Sequence, residues 1–273
     1  MVKSITTNTT ANTALRYLDQ NSRASSSSLA KLSSGSRIVR ASDDAASLAV
    51  GTKLRADVTA LKQAQVNASQ ASSLLQVADG AMAQTTEILI RMKSLAAQSL
   101  SGQVSDNERG FINAEYAQLV TQITDMSTQV RYNDTALLDG NYDEDFIVGV
   151  AATDVITVTL DADGFDLATL AGTLATVDTV ANATTAMGAL DTAIADVNEG
   201  RANLGALLAR FEYAGANLAT TVENIDAARS VLLDVDMAAE MSNFSSKQVL
   251  MQASVAMLAQ ANQQPEQLLR LLQ

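Results

Sequence analysis

Few positions in this chain could do chemistry. Asp43 and Asp44 are adjacent carboxylates behind Ser42, a pairing that could act as acid and base or as metal ligands. Adjacent carboxylates in that setting more commonly cap a helix, because their oxygens accept the free N–H groups of the first turn and the dipole there favours negative charge. The run Asp161-Ala162-Asp163-Gly164 resembles the start of a calcium loop. The further oxygens and the terminal Glu that such a loop requires are missing, which leaves a solvated hairpin turn. The chain has no Cys, so thiol nucleophiles, thiolate metal sites and disulfides are unavailable. It also has no His, which removes the commonest metal ligand and general base and rules out a His-Glu-x-x-His protease site. The residues predict no enzyme, no cofactor and no metal.

The elements available to position any functional surface are long helices. The 273 residues include 47 alanines, ten Phe and Tyr together, no Trp and a single Pro, a composition suited to closely approaching helices with thin side chains. The net charge of −12 argues against wrapping nucleic acid, which needs clustered Lys and Arg to displace counterions. Charge is also uneven: residues 1–62 hold nine of the 18 basic residues, whereas 139–199 hold twelve acidic residues and no basic one. That middle is built to face water. No apolar run approaches the roughly 20 residues of a membrane span, and Met1 to Asn8 lack the apolar core of a cleaved secretory signal.

Heptad spacing is clearest in the last third. Leu190, Ile194, Val197, Leu204, Leu208, Phe211, Leu218, Val222, Ile225 and Leu232 follow one 4-3 alternation, with Arg201, Gly215 and Arg229 in the remaining slots. The phase slips by one at 232–236, and a second seam begins: Met237, Met241, Phe244, Met251, Val255 and Leu258, with Gln248 in its polar slot. A joint between two helices is expected there. Its methionines, Met237, Met241, Met251 and Met257, could form an adaptable partner-binding face or simply a packing seam. Earlier in the chain, Ile112, Tyr116, Leu119, Ile123, Met126 and Val130 keep helical spacing behind a capping box, Ser105 with Glu108. Between Ser42 and Ser99, apolar doublets recur every seven residues at 74–75, 81–82, 88–89 and 95–96, the mark of a helix that buries two faces. At about 1.5 Å per residue such a helix would run roughly 80 Å, which predicts an elongated rod.

The ends are weaker. Leu15, Leu18, Leu29 and Leu32 occupy a and d slots, but Ser22 and Ser25 lie between them, and residues 1–40 contain nine serines. Such a seam buries too little apolar surface to offset roughly 1–2 kcal/mol of backbone entropy per residue. Residues 1–40 and 237–273 are therefore expected to order only with partners. Strand character is confined to the middle, at 146–150 and 155–160, and suggests a small β-hairpin excursion. The fold class is mainly α.

With these residues in view, the chain resembles the bacterial flagellins across nearly its whole length. The stretch from Leu29 through Lys31-Leu32-Ser33-Ser34-Gly35-Ser36-Arg37-Ile38 to Val50 is similar to the family's N-terminal signature. Ala227-Ala228-Arg229-Ser230 through Ser245, Gln248 and Val249 to Leu258-Ala259-Gln260-Ala261-Asn262-Gln263 is similar to its C-terminal signature. Ser47 stands where the family usually has glycine, and the middle is too short for large outer domains, so the resemblance is to a short form. A hook-filament junction protein is the nearest alternative, but it normally lacks such complete signatures. A helical chaperone would account for the acidity and heptads but not for the serine-rich end.

The resemblance implies a structural subunit that self-assembles into the flagellar filament for motility. It implies an inner coiled-coil domain from residues 1–42 and 236–273, a helical rod domain from 43–140 and 176–235, and a surface-exposed β excursion at 141–175. Assembly contacts would be carried by Leu15, Leu18, Leu29, Leu32, Met237, Met241, Phe244, Met251, Val255 and Leu258. Export through the flagellar type III apparatus without a cleaved signal peptide is implied, to an extracellular filament. The partners implied are further copies of the chain, an export chaperone for the C-terminal segment, and the cap and hook-filament junction proteins. An innate immune receptor of animals is a further partner, through Arg91, Leu95 and Glu115.

Overall fold

The computed structural model describes residues 7–160 and 166–271, the segment 264–271 as backbone alone. Its elements in order are helices α1 (Thr9–Ser34), α2 (Ala45–Ser99) and α3 (Asp106–Gln129), strands β1 (Arg131–Tyr132), β2 (Thr135–Ala136), β3 (Asp143–Ile147) and β4 (Val155–Thr159), and helices α4 (Leu167–Thr173), α5 (Val180–Leu233) and α6 (Met237–Leu271). The run Asp161 to Gly164, considered above as a calcium loop or hairpin turn, lies outside the described residues.

The helix boundaries follow from capping chemistry. Asn8 Oδ1 accepts the Ala11 N–H at 3.0 Å to start α1, and Gly35, at φ 68°, ends it in a left-handed conformation that suits glycine. Asp44 starts α2 by accepting the Ser47 N–H at 3.0 Å. That backbone bond, with help from the Ser47 side chain, holds the Asp44 carboxyl below its usual range. Asp43 instead accepts the Val39 and Arg40 N–H groups at 3.2 and 3.0 Å and so folds the preceding turn. The two carboxylates are spent on backbone geometry. The expected capping box is complete: Ser105 Oγ accepts the Glu108 N–H at 3.4 Å, and Glu108 Oε2 accepts the Ser105 N–H at 2.8 Å. The buried Arg109 guanidinium donates to the Ser99 carbonyl, placing a cation on the carbonyl end of α2.

The chain folds as two compact units, a terminal unit (1–56 and 224–273) and a central unit (57–223). The central unit holds the large core. Leu74, Leu75, Met82, Leu89, Met92 and Leu95 of α2, Ile112, Tyr116 and Ile123 of α3, and Leu190, Val197, Leu204 and Phe211 of α5 are buried in one cluster. The seven-residue doublets of α2 explain this packing, because each doublet sets one residue on each of two adjacent faces. Every position of the α5 seam from Leu190 to Leu232 is buried or half-buried, its polar slots included. Arg201 uses its slot to donate to Asp79 of α2 at 2.9 Å. The Tyr116 hydroxyl is buried without a partner among the described residues, and burial pushes its pKa up to about 12.

The β excursion differs in detail from the expectation of strands at 146–150 and 155–160. β3 begins three residues earlier and pairs antiparallel with β4 in the register Asp143↔Thr159 to Ile147↔Val155. Thr159 and Thr157 donate across the ladder to Asp143 at 3.1 Å and Asp145 at 2.6 Å, which lets acidic residues occupy a strand. Phe146 packs edge-on against Phe211 of α5, ring centroids 5.8 Å apart. The short hairpin β1–β2, turned by Asn133 and Asp134 at positive φ, and the helix α4 were not legible from periodicity. Nor is this segment merely surface: Tyr142, Ile156, Val158, Leu160, Leu167 and Leu170 all join the core.

In the terminal unit, α1 and α6 pack against each other. They run antiparallel, since Asn8 at the start of α1 donates to the Ala261 carbonyl at 2.8 Å while Ser36, just past its end, pairs with Asp234 just before α6. In the structure both helices are formed and paired within one chain.

Candidate assembly surface

The positions that α1 and α6 turn inward follow strict heptads. On α1 they are Ala11, Ala14, Leu18, Asn21, Ser25, Ser28 and Leu32; on α6 they are Glu240, Phe244, Lys247, Met251, Ser254, Leu258 and Ala261, all buried or half-buried. Small and polar side chains fill more than half of these places. The helices can approach closely, but the apolar area they remove from water is modest.

The ten residues expected to carry assembly are split by this packing. Leu18, Leu32, Phe244, Met251 and Leu258 lie half-buried on the seam. Leu15, Leu29, Met237, Met241 and Val255 are exposed. Leu15 and Leu29 follow directly after the inward Ala14 and Ser28, so a rotation of about 100° turns them off the seam. Of the methionine stripe, only Met251 faces the seam, and Met257 is exposed like Met237 and Met241. Tyr17, Val249 and Leu250 are further large exposed apolar residues that the single-seam reading missed. The run Val249-Leu250-Met251 was the available signal, since three consecutive large apolar residues on a helix cannot share one face. Two helices thus present apolar residues away from each other, which on a soluble protein marks an interaction surface.

Arg91, Leu95 and Glu115, the residues implied for a receptor contact, lie in the central unit. Arg91 pairs with Glu115 at 2.6 Å across α2 and α3, with both side chains about half exposed. Leu95, one turn along α2, is only 2% exposed and belongs to the core. Among the described residues no group of three His, Cys, Asp or Glu side chains could hold a metal ion, and no helix is long and apolar enough to cross a membrane.

Comparison with known proteins agrees with this geometry. Residues 5–143 match the bacterial flagellin N-terminal helical region, and residues 187–272 match the bacterial flagellin C-terminal helical region. The flagellin of Halalkalibacterium halodurans is 40% identical over 97% of this chain and 98% of its own length. The flagellin of Bacillus subtilis is 37% identical over 97% of this chain and 98% of its own. The 30.7 kDa flagellar filament core protein of Treponema maltophilum is 36% identical over 95% and 96%. Among solved structures, Bacillus cereus flagellin matches with a TM-score of 0.52 and 30% identity, over 60% of this chain and 94% of that one. Both terminal regions are matched in order, and the similarity runs nearly end to end with relatives of like length. The long, paired helices and their outward apolar faces are thus those of a structural, non-enzymatic protein, and the chain belongs to the bacterial flagellin family.

Proposed function

We propose that copies of this flagellin join through the outward apolar faces of α1 and α6. The chain is a structural subunit of the flagellar filament, an extracellular appendage, and it assembles with copies of itself. The observation that carries the finer reading is the exposure of Leu15, Tyr17, Leu29, Met237, Met241, Val249, Leu250, Val255 and Met257 on two helices whose shared seam is thin. Neighbouring copies would supply the apolar cover that the intramolecular pair lacks. In this reading residues 1–42 and 236–273 form the inner coiled coil of the filament, 43–140 and 176–235 the helical rod, and 141–175 an excursion of the rod that is exposed at its hairpin turn and packed into the core along its inner side. Light scattering after adding filament seeds tests it. Chains lacking residues 1–20 or 260–273 are expected to stay helical and to leave the seeds unextended, and normal elongation by either would refute it.

The exposed methionines and Val249-Leu250 of α6 also suit an export chaperone that covers this face before assembly, since flexible thioethers adapt to more than one partner. Passage through the flagellar type III apparatus, and contacts with the cap and the hook-filament junction proteins, belong to the same reading. For an animal innate receptor, the accessible groups are Arg91 and Glu115, with Leu95 supporting the helix from the core.

A further inference from the structure

The α1–α6 seam poses a register problem. Along α6 the large seam residues at seven-residue spacing are Phe244, Met251 and Leu258, and along α1 the matching set is Ala11, Leu18, Ser25 and Leu32. At these positions, sliding one helix by a heptad exchanges one large apolar side chain for another on α6, so the packing of these layers distinguishes poorly between the two registers. Such a slip moves the outward residues by about 10 Å along the helix. A polymer built on those residues cannot tolerate that displacement.

Backbone hydrogen bonds at the joint distinguish what the seam does not. The connector after α1 and the connector before α6 meet as an isolated antiparallel bridge, Ser36 opposite Asp234. The Arg37 N–H donates to the Leu233 carbonyl at 2.6 Å, and the Val235 N–H donates to the Gly35 carbonyl at 3.1 Å. The Ser36 hydroxyl lies 3.1 Å from the same Leu233 carbonyl, and the Arg37 guanidinium donates to the Leu232 carbonyl at 2.9 Å. Leu233 itself is seated on Gly51 of α2, where an added Cβ would lie 2.7 Å from its side chain. At the far end of the pair, Asn8 donates to the Ala261 carbonyl while its Oδ1 caps α1. A heptad slip would break the bonds at both ends, since each is anchored to a backbone atom at one position.

We infer that the bridge between residues 35–37 and 233–235 is the latch that sets the register of α1 against α6, and so aligns their outward faces for joining another copy of the chain. Arg37 and Val235 act as positioning residues through their main-chain N–H groups. The inference rests on the assembly reading above. Arg37→Pro deletes one latch donor, whereas Arg37→Ala removes the guanidinium and keeps the N–H. Ser36 and Asp234 form the non-hydrogen-bonded pair of the bridge, a pairing in which the two α-carbons lie about 4.5 Å apart. That spacing admits a disulfide in this cysteine-free chain, through Ser36→Cys and Asp234→Cys together.

The experiment measures seeded elongation of the full chain, with hydrogen exchange at Ile112–Val130 confirming that the central unit is folded. Arg37→Pro is expected to slow elongation about tenfold, the equivalent of one lost backbone bond with its acceptor left unsatisfied. Arg37→Ala is expected to slow it less. Adding the oxidised Ser36→Cys/Asp234→Cys pair to the Arg37→Pro chain is expected to restore elongation, and reduction to remove it again. Wild-type elongation by Arg37→Pro, equal loss in Arg37→Ala, or failure of the oxidised pair to rescue would each overturn the latch. If the chain lacking residues 1–20 elongates normally, the assembly reading itself fails; if that chain is inert while Arg37→Pro is normal, only the latch fails.

Discussion

Replacing Leu15 and Leu29 together by Gln separates a residue's part in the filament from its part in the fold. In the single chain these side chains are 48% and 55% exposed, so about half of each remains in contact with water. Complete burial of a leucine is worth roughly 1.5–3 kcal/mol, so covering the remaining half of each by a neighbouring copy contributes about 1 kcal/mol. The double substitution therefore costs the filament about 2 kcal/mol per subunit, which raises the critical concentration for assembly about thirtyfold. The monomer should hardly notice, because Gln has nearly the helix propensity of Leu and neither side chain lies on the inward seam. Sedimentation of filaments equilibrated with monomer gives the critical concentration, and urea unfolding of the dilute chain gives the monomer's stability. An unchanged critical concentration would show that these faces are not covered in the polymer. Comparable destabilisation of the monomer would show that they are not outward in solution.

Three further outcomes follow from the central unit. A foreign domain inserted between Ala151 and Ala152, at the exposed turn of the β3–β4 hairpin, should leave filaments intact, whereas insertion at Leu167 or Val177 should abolish them because both are fully buried; motility and electron microscopy distinguish the sites. Ser105→Ala breaks the capping box of α3 and should cost about 1 kcal/mol in denaturant unfolding, with no change in m-value. For Tyr116 the folded pKa lies above the ordinary value of 10.0, so its neutral form is favoured by folding. That contribution is complete below pH 10 and is lost as pH rises toward about 12, and Tyr116→Phe should flatten the stability profile across that window when unfolding is followed at several pH values.

Much of this protein is legible in its sequence because helix formation and burial are written at fixed spacing. The seven-residue doublets of α2, the 4-3 alternation of α5 and the capping box at Ser105 each encode an element together with the face it buries, since helical periodicity is a property of the chain alone. The phase slip at 232–236 marks the break between α5 and α6 for the same reason. The missing His and Cys remove the commonest general base and the thiol chemistry with no reference to structure. What periodicity does not carry is the choice between neighbouring faces when small and polar residues fill the seam. Leu15 and Leu18 look alike in a heptad count, yet one faces solvent and the other the partner helix, because the thin side chains at Ala14 and Ser28 let the helices meet one position away from Leu15 and Leu29. Bonds between distant backbone atoms are equally silent in the sequence: the Ser36–Asp234 bridge and the Asn8–Ala261 bond join residues about 200 and 250 positions apart through groups that every residue possesses. Side-chain type determined which helices form, and only the meeting of main chains in three dimensions decided how the terminal pair is aligned.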